Sequence, residues 1–199
     1  MIRAAELVNI SPIVRVTDNA PESILRALDI GAHGVQVPQV SSCTEAEEVL
    51  KSARFHPDGN RGVCKFVRAA DYSSTPPATY LKEANRQSLV IVHIEGIEGI
   101  NNLPDILKNV DVDIVFIGPY DLSQSCDVPG QVDHPEVEGK MKEAVALAQE
   151  ADKIVGTFVD DVETARKWRN LGVQYIAFSV DVGLFSRICS DIVRELSQR

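Results

Sequence analysis

Along this chain short apolar runs alternate with amphipathic stretches from end to end. The β-branched run "SPIVRV" (11–16) reads as a strand, and "PESILRALDIG" (21–31) as a helix closing on Gly31. "GVQVPQV" (34–40) is a strand and "CTEAEEVLKSA" (43–53) a helix. The turn formers of "RFHPDGNRGVCKF" (54–66) predict a loop. A polar helical stretch, broken by Pro76 and Pro77, leads to "LVIVHIE" (89–95), a strand, and "GINNLPDILKNV" (99–110), a helix. "DIVFIGP" (113–119) is again a strand, followed by the long helix "PEVEGKMKEAVALAQEA" (135–151). The last units are "KIVGTFV" (153–159) with "DVETARKWRNLG" (161–172), then "QYIAFSVD" (174–181) with "VGLFSRICSDIVRELSQ" (182–198).

These are six strand–helix units, and strands this continuously apolar predict a parallel sheet covered on both faces. A closed parallel barrel has about eight units. The chain opens on "MIRAAELVN", which reads as the tail of a helix with no strand before it. The sheet is therefore either open and doubly wound, or a barrel of the α/β TIM type with two leading units absent. No Gly-rich fingerprint opens a helix, which argues against a Rossmann nucleotide site. No linker or repeat interrupts residues 1–199, so a single domain is expected.

Composition narrows the classes. Apolar residues make up 44% and charged residues 25% of 199, as in ordinary globular proteins. A net charge of −9 without a basic cluster argues against nucleic acid and membrane surfaces as partners. No apolar run approaches the roughly 20 residues of a membrane span, and the first residues show no signal-peptide core. Cys43, Cys64, Cys126 and Cys189 are scattered like reduced thiols, so a cytoplasmic location is expected.

Two apolar strands end in acids, Glu95 and Asp121. Parallel α/β sheets gather ligands at the carboxyl ends of their strands. Adjacent strands lie about 5 Å apart, so both carboxylates can reach one spot, where they repel each other unless a cation lies between them. Oxygen ligands of this kind suit Mg²⁺, Mn²⁺ or Co²⁺. Alternatively each acid caps the helix that follows it. Arg15 lies inside an apolar strand, where a buried guanidinium needs either a structural salt bridge or a substrate carboxylate. His93, two residues before Glu95, points to the same strand face, as a site residue or as a satisfied core histidine. Asp29 at a helix C-terminus opposes the dipole preference there, which marks an interface or an isolated surface acid. Arg61, in the long loop, either holds that loop by hydrogen bonds or leans over the site, and the structural role is the one expected. Gly118, Pro119 and Tyr120 carry the chain around the mouth, as a plain turn or as backbone N–H donors to a substrate carboxylate. His33, His56 and His134 lie in loops or turns.

Taken together, "PIVRV", "LDIGAHGVQVPQV", "EAEEVLKSARFHPDGNRGV", "VHIEGIEGINNLPDIL", "VFIGPYDLS" and "HPEV" resemble the HpcH/HpaI aldolase family, with "GPYDLS" and the upstream "HIE" the most specific part. These are class II, metal-dependent pyruvate aldolases of the phosphoenolpyruvate/pyruvate superfamily, and the resemblance runs in order along the chain. It implies a (β/α) barrel whose last helix packs on a neighbouring subunit, in hexamers built from trimers. It implies metal ligation by Glu95 and Asp121, and an Arg15 that holds the oxo-acid and stabilises its enolate. It further implies an Asp29 that reaches a neighbouring subunit's site. The reaction implied is reversible cleavage of 4-hydroxy-2-oxo acids to pyruvate and an aldehyde.

Two departures stand out. His93 replaces the glutamine usual in "VQIE". Family members also carry a longer N-terminal segment with two more strands and a histidine in a "D-x-E-H" turn that assists proton transfer. Two other readings accompany the aldolase: a citrate-lyase-like or malyl-CoA-lyase-like enzyme, and a non-catalytic truncated barrel subunit.

Overall fold

The computed structural model describes residues 1–197. Its core is one sheet of six parallel strands in the sequential order β1 (Ile13–Arg15), β2 (Gly34–Val37), β3 (Leu89–Ile94), β4 (Ile114–Ile117), β5 (Ile154–Val159) and β6 (Tyr175–Phe178). A doubly wound sheet reverses its strand order at a switch point. No reversal occurs here, so that reading is set aside, and the sheet is a curled, incomplete (β/α) barrel. β1 and β6 are its two open edges.

Between the strands run α2 (Pro21–Asp29), α3 (Cys43–Ala53), α4 (Pro77–Gln87), α5 (Ile97–Asn109), α7 (Pro135–Glu150) and α8 (Val162–Asn170), with α1 (Ile2–Leu7) ahead of them and α9 (Asp181–Ser197) behind. Local chemistry sets the helix ends. Pro21, Pro77 and Pro135 each open a helix at a position where the missing N–H costs nothing. Asp161 caps α8 by accepting from the Thr164 N–H at 2.8 Å. Gly31 and Gly172, just past α2 and α8, take φ of 96° and 101°, where a Cβ would be strained.

Alternation along the strands separates two apolar layers. Val35, Val90, Val92, Ile94, Val115, Ile117 and Val155 face the helices and form the main core with Ile24, Leu103, Ile106 and Met141. Ile91, Ile114 and Phe116 face the concave side with Ile13, Phe158, Tyr175 and Ala177. The helices therefore cover one face only. The expectation of a sheet covered on both faces fails, because the concave side of a barrel is filled by its own side chains.

The strands are shorter than the apolar runs suggest, since pairing stops where the chain turns outward to build the loops at the carboxyl ends. The segment before β3 holds a 3-10 turn (Arg68–Ser73) and then α4, which starts at Pro77 rather than being broken by it. "GPYDLS" is not a bare turn. It forms α6 (Pro119–Ser125), with Gly118 as N-cap residue and Pro119 at the first helical position.

Candidate active site

At the carboxyl ends of the strands lies a cleft of about 390 Å³, whose walls bring together Arg15, Gln36, His93, Glu95 and Asp121. Glu95 follows directly on β3, and Asp121 stands in the first turn of α6, one unit later. The two carboxyl groups line the same cleft, close enough for the charge of Glu95 to act on Asp121.

Glu95 is 7% exposed and firmly held. Its Oε1 accepts from the Gln39 backbone N–H at 2.8 Å, and its Oε2 lies 3.4 Å from His93 Nδ1. Burial pushes its pKa up. The His93 contact, the Gln39 N–H and the charge of Arg15 outweigh burial, so Glu95 is held below the usual carboxylate range. Gln39 takes a left-handed φ of 56° to aim that N–H, local strain placed beside the site.

Gly118 explains itself by close approach. A Cβ there would stand 2.6 Å from Glu95 Oε2 and 2.8 Å from Glu95 Cβ, so only glycine leaves the carboxylate its position.

Asp121 behaves in the opposite way. It is exposed at the rim, and its pKa is raised by burial first and then by the negative charge of Glu95, with Arg15 opposing. One carboxylate fixed in its charged form pushes a second toward protonation. A cation between them removes the conflict, and this is the observation that fits the pair to a hard divalent ion. Among the described residues no cluster of three or more His, Cys, Asp or Glu surrounds that point, so the remaining ligands of such an ion would be solvent and substrate.

His93 is 5% exposed, and its ring stacks on Phe116 with centroids 4.4 Å apart. Its Nδ1 faces Glu95, and its Nε2 is buried with no hydrogen-bond partner.

Arg15 corrects an expectation. It is exposed and makes no salt bridge among the described residues, rather than being a buried arginine with a structural partner. It lies on β1, an edge strand paired on one side only, where it stands opposite Gln36 of β2, and it lines the cleft.

The backbone cradle expected from Gly118, Pro119 and Tyr120 also changes. Gly118 N–H points to Ile94 O at 3.4 Å, and proline has no N–H to offer. Gly118 and Pro119 are buried supports of the cleft floor, while Tyr120, 48% exposed, stands on its rim. The Tyr120 hydroxyl donates to Asp160 Oδ2 at 2.7 Å, and its ring meets Phe158 edge-on at 6.0 Å.

The structure does not bring Asp29 into this cleft. Its Oδ1 accepts from the buried Arg61 guanidinium at 2.6 Å, near the amino-terminal ends of the strands, and Arg61 also stacks over Phe55 at 4.4 Å. The structural role expected of Arg61 is what is seen. A larger cavity, about 680 Å³, lies at this end. Its principal charges are already paired, Arg61 with Asp29 and Arg68 with Glu6, and it has no counterpart to the opposed carboxylates. His134 caps α7, and His33 sits in the wall of this larger cavity. The four cysteines are unpaired.

Sequence patterns gave no signal for Gln39, whose contribution is a backbone N–H. They gave none for Asp160 either, which meets Tyr120 only through the fold.

The family described as HpcH/HpaI aldolase/citrate lyase matches residues 1–187. A 4-hydroxy-2-oxo-heptane-1,7-dioate aldolase of Shigella sonnei is 38% identical over 177 residues, covering 88% of this chain and 67% of that protein. The crystal structure of an HpcH/HpaI aldolase/citrate lyase family protein from Burkholderia cenocepacia superposes with a TM-score of 0.92 at 34% identity, covering 98% of this chain and 77% of that one. An HpcH/HpaI aldolase from Desulfitobacterium hafniense gives a TM-score of 0.91 at 26% identity, over 100% of this chain and 76% of that one.

Proposed function

The chain belongs to the HpcH/HpaI aldolase/citrate lyase family, and from that premise we propose that it is a divalent-metal-dependent aldolase, a carbon–carbon lyase that splits 4-hydroxy-2-oxo acids reversibly into pyruvate and an aldehyde. The observation that carries this reading is the convergence of Glu95 and Asp121 on one cleft that also holds Arg15.

Glu95 and Asp121 are the residues that would hold the cation, with Mg²⁺, Mn²⁺ or Co²⁺ suited to their oxygen donors. Bound there, the ion supplies Lewis-acid charge for the oxo-acid's carbonyl oxygen. Arg15 is free to pair with the substrate's carboxylate, and its positive charge stabilises the enolate as it forms. His93 Nδ1 stands 3.4 Å from Glu95 Oε2 and the residue lines the cleft, so we assign this imidazole the proton of the C4 hydroxyl. The O–H electrons become the aldehyde C=O, and the C3–C4 pair becomes the enolate double bond. Gly118 and Pro119 shape the floor beneath Glu95, and Tyr120 closes the rim. We further propose a homo-oligomer as the working form, of the hexameric kind the family resemblance implies, with Asp29 at its interface.

The test is proton exchange at C3 of pyruvate in D₂O with Mg²⁺ or Mn²⁺, beside calorimetric titration with Mn²⁺. Glu95→Ala and Asp121→Ala are each expected to abolish both. Exchange that survives in either variant overturns the assignment.

A further inference from the structure

Beyond the reacting carbons the cleft runs from Arg15 on β1, past the two carboxylates, toward β5 and β6. With Arg15 and the cation engaged at the oxo-acid end, the wall left for the rest of a substrate is formed by Phe158, Tyr120 and Ala177. This wall is aromatic and aliphatic. Pro119, Tyr120 and Phe158 also border an adjoining cavity of about 230 Å³, which carries Asp133, Asp160 and Asp161 above the core residues Met141 and Trp168. Among the described residues no Lys or Arg lines either space except Arg15.

Asp160 is held facing this end. Its carboxylate accepts from Tyr120 at 2.7 Å and from Ser179 Oγ at 3.2 Å, and no Lys or Arg forms a salt bridge with it among the described residues. Arg187 stands nearby but donates to the Asp160 backbone oxygen at 2.8 Å, not to the carboxylate. The negative field is felt locally. The hydrogen bond to Asp160, burial, and the charges of Asp160 and Asp133 push the Tyr120 hydroxyl's pKa up. A second carboxylate on a substrate would therefore leave water for an apolar wall and meet a negative charge instead of a partner.

We infer that this chain takes 2-oxo acids whose far end is uncharged and apolar, branched aliphatic or aromatic, and rejects those that carry a carboxylate at both ends. The inference rests on the aldolase reading and refines it. It separates this chain from the Shigella sonnei relative, whose name gives a heptane-1,7-dioate. Asp160 is the specificity determinant, and Tyr120 with Phe158 is the surface that receives the apolar group.

Calorimetric binding to the Mn²⁺-saturated protein tests this without requiring turnover. The probes are 2-oxo-4-methylpentanoate, with a neutral branched end, and 2-oxohexanedioate, with a second carboxylate. The neutral acid is expected to bind at least about tenfold more tightly, the scale of like-charge rejection. Asp160→Asn should shrink that ratio severalfold, and Phe158→Arg should reverse the preference. Equal or tighter binding of the diacid by the unaltered chain, an unchanged ratio in Asp160→Asn, or binding of neither acid overturns the inference. Pyruvate exchange, run in parallel, separates the two readings. Exchange with a reversed preference removes only the specificity, whereas the expected preference without exchange removes only the aldolase.

Discussion

Glu95 and Asp121 share a cleft and are pushed in opposite directions, the first held ionised and the second driven toward its protonated form. The consequence for stability follows from linkage. For an acid whose folded pKa is raised, the folded chain binds more protons, so stability falls as pH rises from the free-aspartate value of 3.8 through the raised value, and the deficit persists above it. Asp121→Asn removes that deficit. Because Asp121 is exposed and screened by solvent, the expected gain in the metal-free protein at pH 7 is at most about 1 kcal/mol, or about 2–4 °C in Tm. The same variant should lose the stabilisation that saturating Mn²⁺ gives the unaltered chain, about 2.7 kcal/mol at a hundredfold excess over Kd. Thermal melts with and without Mn²⁺ check both signs, and a variant that is less stable without metal and still stabilised by it would contradict the account. At this scale the acids were readable, because an apolar strand ending in a carboxylate is visible in "LVIVHIE" and "VFIGPYD". Arg15 was misread as buried, since nothing in "PIVRV" says that its strand lies at an open edge. Gln39 and Asp160 could not be read at all. One acts through its backbone, and the other through a contact 40 residues away.

The loop after β2 carries Gln39, and the helix after that loop is tied down by a reciprocal cap. Ser42 Oγ accepts from the Glu45 N–H at 3.2 Å, while Glu45 Oε2 accepts from the N–H groups of Ser42 at 3.1 Å and Ser41 at 2.8 Å. Burial raises the Glu45 pKa, but the bonds from Ser41 and Ser42 outweigh it, so the folded value lies below the free-glutamate 4.5. The sign is opposite to that of Asp121. The contribution is present above 4.5 and disappears as pH falls through the lower folded value. Ser42→Ala is expected to cost about 1 kcal/mol in urea unfolding at pH 7. Glu45→Gln should cost a measurable amount at pH 7 and progressively less once the pH drops into that acid window; an equal loss at both ends of the range would count against the linkage. Elements of this kind were the most legible part of the chain. α3 falls on its expected residues, 43–53, because "SCTEAEE" states its own cap. α6 was missed because seven residues that open on a proline straight after a glycine look like a turn until the helix is seen to start at Pro119.

At the scale of the whole molecule a parallel sheet of six units was readable from the alternation, whereas its strand order, open between a doubly wound sheet and a barrel, and the faces that remain bare were not, since both depend on neighbours that periodicity cannot name. α9 shows this most clearly. Phe185, Ile188, Ile192 and Leu196 recur three and four residues apart and form one helical stripe, yet they are 72, 59, 52 and 81% exposed, and no residue of α9 is buried. An amphipathic helix gains most of its stability by packing its apolar face, and a contiguous exposed stripe marks an interaction surface. Leu7, Val8 and Ile10, at and just beyond the end of α1, are exposed as well. A second copy of the chain supplies apolar surface of the same kind, in line with the homo-oligomer proposed above. Sedimentation velocity at micromolar concentration should therefore show an assembly larger than 21.8 kDa. Phe185→Asp combined with Ile188→Asp should shift it toward the monomer and lower Tm, because each burial lost is worth about 1.5–3 kcal/mol. Mn²⁺ binding distinguishes dissociation from unfolding, since Glu95 follows β3, Asp121 lies on α6, and neither depends on α9 for its contacts. A single chain of monomer mass with the helix intact by circular dichroism would show instead that α9 stands in water unaided, and the oligomer would fall while the metal site stood.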